Sequence, residues 1–127
     1  MFMTEDGQEP MLILVAEDDE FSYLFLQTAL EKENIRVIRA RTGEEAVEIF
    51  QNNPGIKMIL MDFKMPGMGG YEATRQIRAM NPDIPIIAQT AYALSGDRQK
   101  ALDAGCNAYI SKPIRKEVLM RTIQQFL

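Results

Sequence analysis

Met11-Leu12-Ile13-Leu14-Val15-Ala16 is an unbroken apolar run, and Glu17-Asp18-Asp19 follows it directly. A strand with one wet face alternates apolar and polar residues, so a short run that is apolar throughout fits a strand buried on both faces. Comparable β-type segments recur at 35–40, 57–61, 85–89 and 107–110. Helix-period segments lie between and after them, at 20–33, 43–52, 70–80, 95–104 and 115–126. Strict β/α alternation with near-continuous apolar strands predicts an α/β domain, a doubly wound parallel sheet of five strands with helices on both faces. Local signals agree. Thr42-Gly43-Glu44-Glu45 has the form of a capping box ahead of Ala46, Val47 and Phe50, and Gly105 is placed to stop the fourth helix. On the first helix Ser22, Phe25, Leu26, Ala29 and Leu30 form the predicted core stripe, with Phe21 and Leu24 on its flank.

Composition bounds what such a domain can do. The chain has 127 residues, the size of one domain. Residues 1–10, polar and acidic with a Gly and a closing Pro, read as a flexible lead-in to a folded domain at 11–127. Hydrophobic residues at 46% and charged residues at 25% keep the chain far from the composition of disordered segments. With 14 Lys+Arg against 18 Asp+Glu, the net charge of −4 supplies no general attraction to nucleic acid or anionic lipid, so no direct nucleic-acid partner is expected. The longest apolar run falls far short of the ~20 residues of a membrane helix, which predicts no membrane segment and a cytoplasmic protein. The single cysteine, Cys106, has no internal disulfide partner and reads as a small buried hydrophobe. There is no histidine, which removes Ser-His, Cys-His and His-metal chemistry and leaves oxygen as the ligand for any metal, a preference for magnesium or calcium. No GxGxxG or Walker pattern follows a strand, so nucleotide binding is not expected.

In open α/β sheets ligands bind beyond the carboxyl ends of the strands. There the chain carries Glu17, Asp18 and Asp19 after the first strand, Asp62 after the third, Thr90 after the fourth, and Ser111, Lys112 and Pro113 after the fifth. Any one of these acids alone is accounted for as a solvated loop residue or a helix cap. Together they are not: two carboxylates ~4 Å apart at an effective dielectric of ~20 repel by roughly 4 kcal/mol, so a cluster needs a cation or a proton. Mg²⁺ suits such a site.

These residues resemble the receiver domain of two-component response regulators. The resemblance covers nearly all of 11–127 and rests on Ile13-Leu14-Val15-Ala16-Glu17-Asp18, the segment from Asp62 through Pro66 to Gly70, Thr90-Ala91, and Tyr109-Ile110-Ser111-Lys112-Pro113. It implies a flavodoxin-like sheet of order 2-1-3-4-5. It implies further that Asp62 is the phosphoacceptor and that Glu17, Asp18, Asp62 and the backbone carbonyl of Lys64 hold Mg²⁺, with Asp18 and Asp19 as the alternative acidic pair. Lys112 and Thr90 are then the groups that contact the phosphoryl oxygens, Tyr109 is the switch aromatic coupled to Thr90, and the bond before Pro113 is expected to be cis, aiming Lys112 inward. Met65 and Met68 lie in the acceptor loop and would shield the site.

The resemblance implies a sensor histidine kinase or a histidine phosphotransfer domain as donor, in trans or in a further part of the polypeptide, since these residues hold no histidine to carry the phosphoryl group. Phe21 and Leu24 are a candidate docking patch for it. The surface of the fourth helix, fifth strand and fifth helix is the expected face for an output domain or partner. The run from Thr90 to Asp97 and Lys112-Pro113-Ile114 is similar to receivers of hybrid sensor histidine kinases; a stand-alone regulator is the alternative. On this reading the chain is no turnover enzyme and catalyses only its own aspartyl phosphorylation and dephosphorylation. Two rivals stand beside it. An aspartyl-nucleophile phosphatase or phosphotransferase would carry an acid two residues after the nucleophile, where this chain has Lys64. A receiver-like interaction module that is never phosphorylated would not need the full set Glu17, Asp18, Asp62, Thr90 and Lys112.

Overall fold

The computed structural model describes residues 10–91 and 96–126. Five strands alternate with five helices: β1 (Met11–Ala16), α1 (Glu20–Glu31), β2 (Ile35–Ala40), α2 (Gly43–Asn52), β3 (Ile56–Asp62), α3 (Gly70–Met80), β4 (Ile86–Thr90), α4 (Arg98–Ala104), β5 (Ala108–Ser111) and α5 (Lys116–Gln125). The strands form one sheet in the order β2-β1-β3-β4-β5, every neighbouring pair parallel. This is the doubly wound architecture predicted.

The pleat divides the core into two layers. Ile13 and Val15 of β1, Met58 and Leu60 of β3 and Ile87 of β4 pack with Leu26, Ala29 and Leu30 of α1 and with Leu119 and Ile123 of α5. The alternate residues Leu14, Ala16, Ile59, Met61, Ile86 and Ala88 pack with Ala46 of α2, Ala73 and Ile77 of α3 and Ala101 of α4. Both faces of β1, β3 and β4 are therefore dry, which is why those strands need apolar residues at successive positions.

Boundaries differ from expectation by small steps with local causes. β3, β4 and β5 each run one residue further toward the site than predicted, so Asp62, Thr90 and Ser111 are ladder residues and not loop residues. Pro85, read as the first residue of β4, has no N–H to give the ladder and lies before it. α1 stops at Glu31, and the chain reverses through Asn34 at φ 62°, a left-handed conformation that asparagine tolerates. Arg115 and Phe126 cap α5 instead of belonging to it. Gly105 ends α4 at φ 113°, its amide donating to the carbonyls of Ala101 and Leu102. The predicted start of that helix at Ser95, Leu127 and the lead-in up to Glu9 lie outside the described residues.

One core assignment is corrected. Phe25, placed in the α1 core stripe, is 41% exposed, beside Phe21 at 85% and Leu24 at 57%. At 3.6 residues per turn Phe25 stands ~100° from Leu26, at the edge of the buried arc. Tyr23, on the opposite edge, packs inward instead. Among the described residues no helix is long and apolar enough to cross a membrane.

Candidate functional site

The ends of β1 and β3 are central in the sheet, so the residues just beyond them converge at one rim. Asp62 extends the alternation of Met58 and Leu60, Glu17 that of Ile13 and Val15, and both therefore stand on the α1/α5 side. Glu17 is fully buried and Asp62 is 3% exposed, while Asp18 is open to solvent. One carboxylate oxygen from each of the three lies within 4.8 Å of the others. From the far end of the chain, Lys112 Nζ donates to Glu17 Oε1 at 2.9 Å and to Asp62 Oδ2 at 3.1 Å. The Lys112–Pro113 bond ahead of α5 is cis.

The electrostatics follow from that packing. Burial, reinforced by the neighbouring Asp62 carboxylate, pushes Glu17 up to about 7, with Lys112 pulling the other way. Burial alone would lower Lys112, but Glu17 and Asp62 outweigh it and hold the ammonium above its usual range. The Lys112 ammonium thus pairs with two of the three clustered carboxylates, Glu17 and Asp62. A donor set made only of carboxylate oxygens, partly dehydrated and in excess of its cation, fits a hard divalent ion.

Asp19 stands apart from the trio. It caps α1, accepting from the Ser22 amide at 2.8 Å, and that bond holds its carboxyl below the usual range. Glu17 with Asp18, and not Asp18 with Asp19, is the pair that the structure brings to Asp62. The Lys64 amide donates to Asp62 Oδ1 at 2.9 Å, so the start of the acceptor loop folds back over the carboxylate. The loop's far end is tied to α2. Gly43 N donates to the Met68 carbonyl at 2.9 Å, and Glu44 Oε1 accepts from Met68 N at 2.9 Å. A Cβ at Gly43 would sit 2.0 Å from the Met68 oxygen, so only glycine admits this approach. Met65 is buried under the loop and Met68 is half-buried.

Thr90 is 2% exposed, and its hydroxyl donates to Asp97 Oδ2 at 2.7 Å. Tyr109 is half-buried against the α2/α3/α4 core layer, with the Arg98 guanidinium 5.4 Å from its ring centroid.

Three contributors went unremarked in the sequence. Arg39 donates from Nε to the Glu17 carbonyl at 3.1 Å, pairs with Glu20 at 3.0 Å and lies 4.2 Å from the Tyr23 ring centroid, bracing the acidic loop. A cation one residue before the end of a neighbouring strand was the available signal. Asp97, which the sequence reading places inside the fourth helix without a role of its own, binds the Thr90 hydroxyl. Gln89, paired in register with Asp62, is 1% exposed, with neither end of its side-chain amide bonded among the described residues. It lies at the base of a cleft of about 540 Å³ walled by Phe21, Phe25, Leu26, Pro113 and Ile114.

Comparison with known proteins bears on this geometry. Residues 13–124 match the model of the response regulator receiver domain. The chain is 33% identical over 120 residues to the polar-differentiation response regulator DivK of Brucella anthropi, covering 93% of this chain and 97% of that protein. It is 35% identical over 122 residues to hybrid signal transduction histidine kinase I of Dictyostelium discoideum, where 90% of this chain spans 7% of the relative. Among solved structures it resembles the receiver domain of sensor histidine kinase PA1611 from Pseudomonas aeruginosa PAO1, which has a magnesium ion coordinated in its active-site cleft. The TM-score is 0.87 at 37% identity, with 92% of this chain and 97% of that one covered. It also resembles the receiver domain of Ssk1 from Saccharomyces cerevisiae, crystallised with the histidine phosphotransfer protein Ypd1. There the TM-score is 0.86 at 31% identity, with 93% and 89% covered. A five-stranded parallel sheet whose strand ends gather an acidic trio under one lysine, matched by these relatives over nearly its whole length, makes this chain a response regulator receiver domain of two-component phosphorelay signalling.

Proposed function

We propose that Asp62 is the phosphoacceptor and that this domain takes a phosphoryl group from a phosphohistidine of a sensor histidine kinase or a histidine phosphotransfer domain. The observation that carries the reading is the Lys112 ammonium bridging Asp62 and Glu17, with Asp18 completing a trio of oxygens within 4.8 Å. An Asp62 carboxylate oxygen forms the new O–P bond as the P–N bond to the donor imidazole breaks, and the imidazole leaves with the electron pair and takes a proton. Glu17, Asp18, Asp62 and the Lys64 carbonyl would hold Mg²⁺, which would supply positive charge to the phosphoryl oxygens. Lys112 supplies a further positive charge and keeps Asp62 oriented. The Lys64 amide holds Asp62 Oδ1 and the Lys112 ammonium holds Oδ2, so the carboxylate is oriented at both oxygens.

The domain catalyses only its own phosphorylation and dephosphorylation, in the cytoplasm. The folded unit is 11–127, with 1–10 as its lead-in. The donor docks on the exposed apolar face of α1, at Phe21, Leu24 and Phe25, beside the cleft that opens toward Lys112. Phosphorylation is read out on the surface of α4, β5 and α5, where Thr90 and Tyr109 couple the site to the outside.

Intact-mass measurement after incubation with acetyl phosphate and Mg²⁺ tests the assignment. The wild type gains the mass of one phosphoryl group and Asp62→Ala gains none. An unmodified wild type, or equal modification of the variant, removes the reading.

A further inference from the structure

The two residues that open α4 hold both of the groups expected to move on phosphorylation. The Thr90 hydroxyl reaches Asp97 Oδ2 at 2.7 Å, the short distance of a hydroxyl bound to an ionised carboxylate. Asp97 precedes α4 with helical backbone angles, φ −63° and ψ −32°, and its side chain caps none of the helix amides. Its carboxylate is turned to β4 instead. The next residue, Arg98, lies over the ring of Tyr109 from β5. Consecutive residues of one helix start thus grip a hydroxyl from one strand and an aromatic ring from the next.

We propose that Asp97 is a positioning residue for the switch: it holds the Thr90 hydroxyl in the resting chain, and the switched form is reached only when that bond breaks. The inference rests on the assignment of Asp62 as phosphoacceptor. A hydroxyl has a single proton to donate. Thr90 follows Gln89, the register partner of Asp62, so its hydroxyl belongs to the strand beside the acceptor. Once it donates to a phosphoryl oxygen, Asp97 loses the Thr90 hydroxyl and with it the bond that ties the start of α4 to β4. The helix start then moves with Arg98 and uncovers Tyr109. Asp97 therefore weights the resting form, and the phosphoryl group must outweigh it.

The experiment uses beryllofluoride with Mg²⁺ as the phosphoryl mimic, and nuclear magnetic resonance of the Tyr109 amide and ring as the readout. Asp97→Ala shifts the unliganded Tyr109 resonances toward their positions in the beryllofluoride complex and tightens apparent beryllofluoride binding roughly tenfold, the worth of one charge-assisted hydrogen bond. Asp97→Asn, which keeps an acceptor oxygen without the charge, falls between and guards against a gross structural effect. In a Thr90→Ala background, Asp97→Ala changes neither quantity, an outcome that a merely structural aspartate would not give. Unchanged Tyr109 resonances and affinity in Asp97→Ala, or an equal effect with Thr90 absent, overturn the proposal. A wild type that binds no beryllofluoride defeats the acceptor assignment instead. The unliganded resonances of the single and double variants then still decide whether Asp97 acts through Thr90.

Discussion

Burial governs Cys106, with no strong counter-charge in contact to oppose it. The thiol is 7% exposed and is pushed up to about 11 from an ordinary 9.0, while the Thr74 hydroxyl and Arg78 pull only weakly the other way. Below pH 9 folded and unfolded chains both hold the proton. Between pH 9 and 11 the unfolded chain releases it and the folded chain keeps it, so stability falls as pH rises through this window. The gap corresponds to ~2–3 kcal/mol. Urea denaturation across that range should show the wild type losing about this much more stability than Cys106→Ala. Equal losses would mean that the thiol ionises freely in the folded state. The sequence-based reading of Cys106 as a small buried hydrophobe needed only its residue type. The same holds for Glu17, Asp18, Asp62 and Lys112, whose positions after apolar strands already suggested what they could do together. Arg39, Gln89 and Asp97 were not legible in this way, because what each faces is decided by the neighbouring strand or helix and not by its own chain neighbours.

At the scale of elements, α2 shows how a local signal reaches the site. Thr42 Oγ1 accepts from Glu45 N at 3.1 Å, as the capping pattern predicted, but Glu45 Oε1 reaches back to Arg41 N at 2.9 Å, one residue before the cap. Since Gly43 and Glu44 grip the acceptor loop at Met68, the cap steadies that loop as well as the helix. Thr42→Ala is expected to cost about 1 kcal/mol. The midpoint of urea unfolding should fall with its slope unchanged, and a midpoint equal to the wild type would show that the cap contributes nothing. α2, with its capping pattern, was legible to the residue, and so were the bounds of α3. α1 was legible as a helix but not in its facing. Phe25 is as apolar as its buried neighbours, and only the angle at which α1 lies on the sheet turns it outward beside Phe21 and Leu24.

For the molecule as a whole, that outward turn leaves one apolar face of α1 uncovered. A second cleft, of about 360 Å³, continues the first past Leu24 and Thr28, with Lys32 and Lys116 at its margin. Truncating a buried interface anchor commonly weakens association by more than about 1 kcal/mol. Replacing Phe21 and Leu24 by Ser should therefore slow phosphotransfer from a protein donor roughly tenfold or more. Labelling by acetyl phosphate, which needs no docking, should be retained. A double variant that receives phosphoryl groups from its donor at the wild-type rate would free this face of the role. The architecture itself was legible because alternation and dry strands leave few ways to wind the chain. The neighbours across the sheet were not, since their proximity exists only after closure.

The ammonium that completes the acidic trio joins it across 95 residues of chain. A polypeptide emerging from the ribosome carries all three acids long before the lysine, with β4, α4 and β5 still to be made. Until those arrive, the ammonium that pairs with Glu17 and Asp62 is missing from the chain. The charge balance of the site is thus completed only once the last strand and the lysine beyond it have been added.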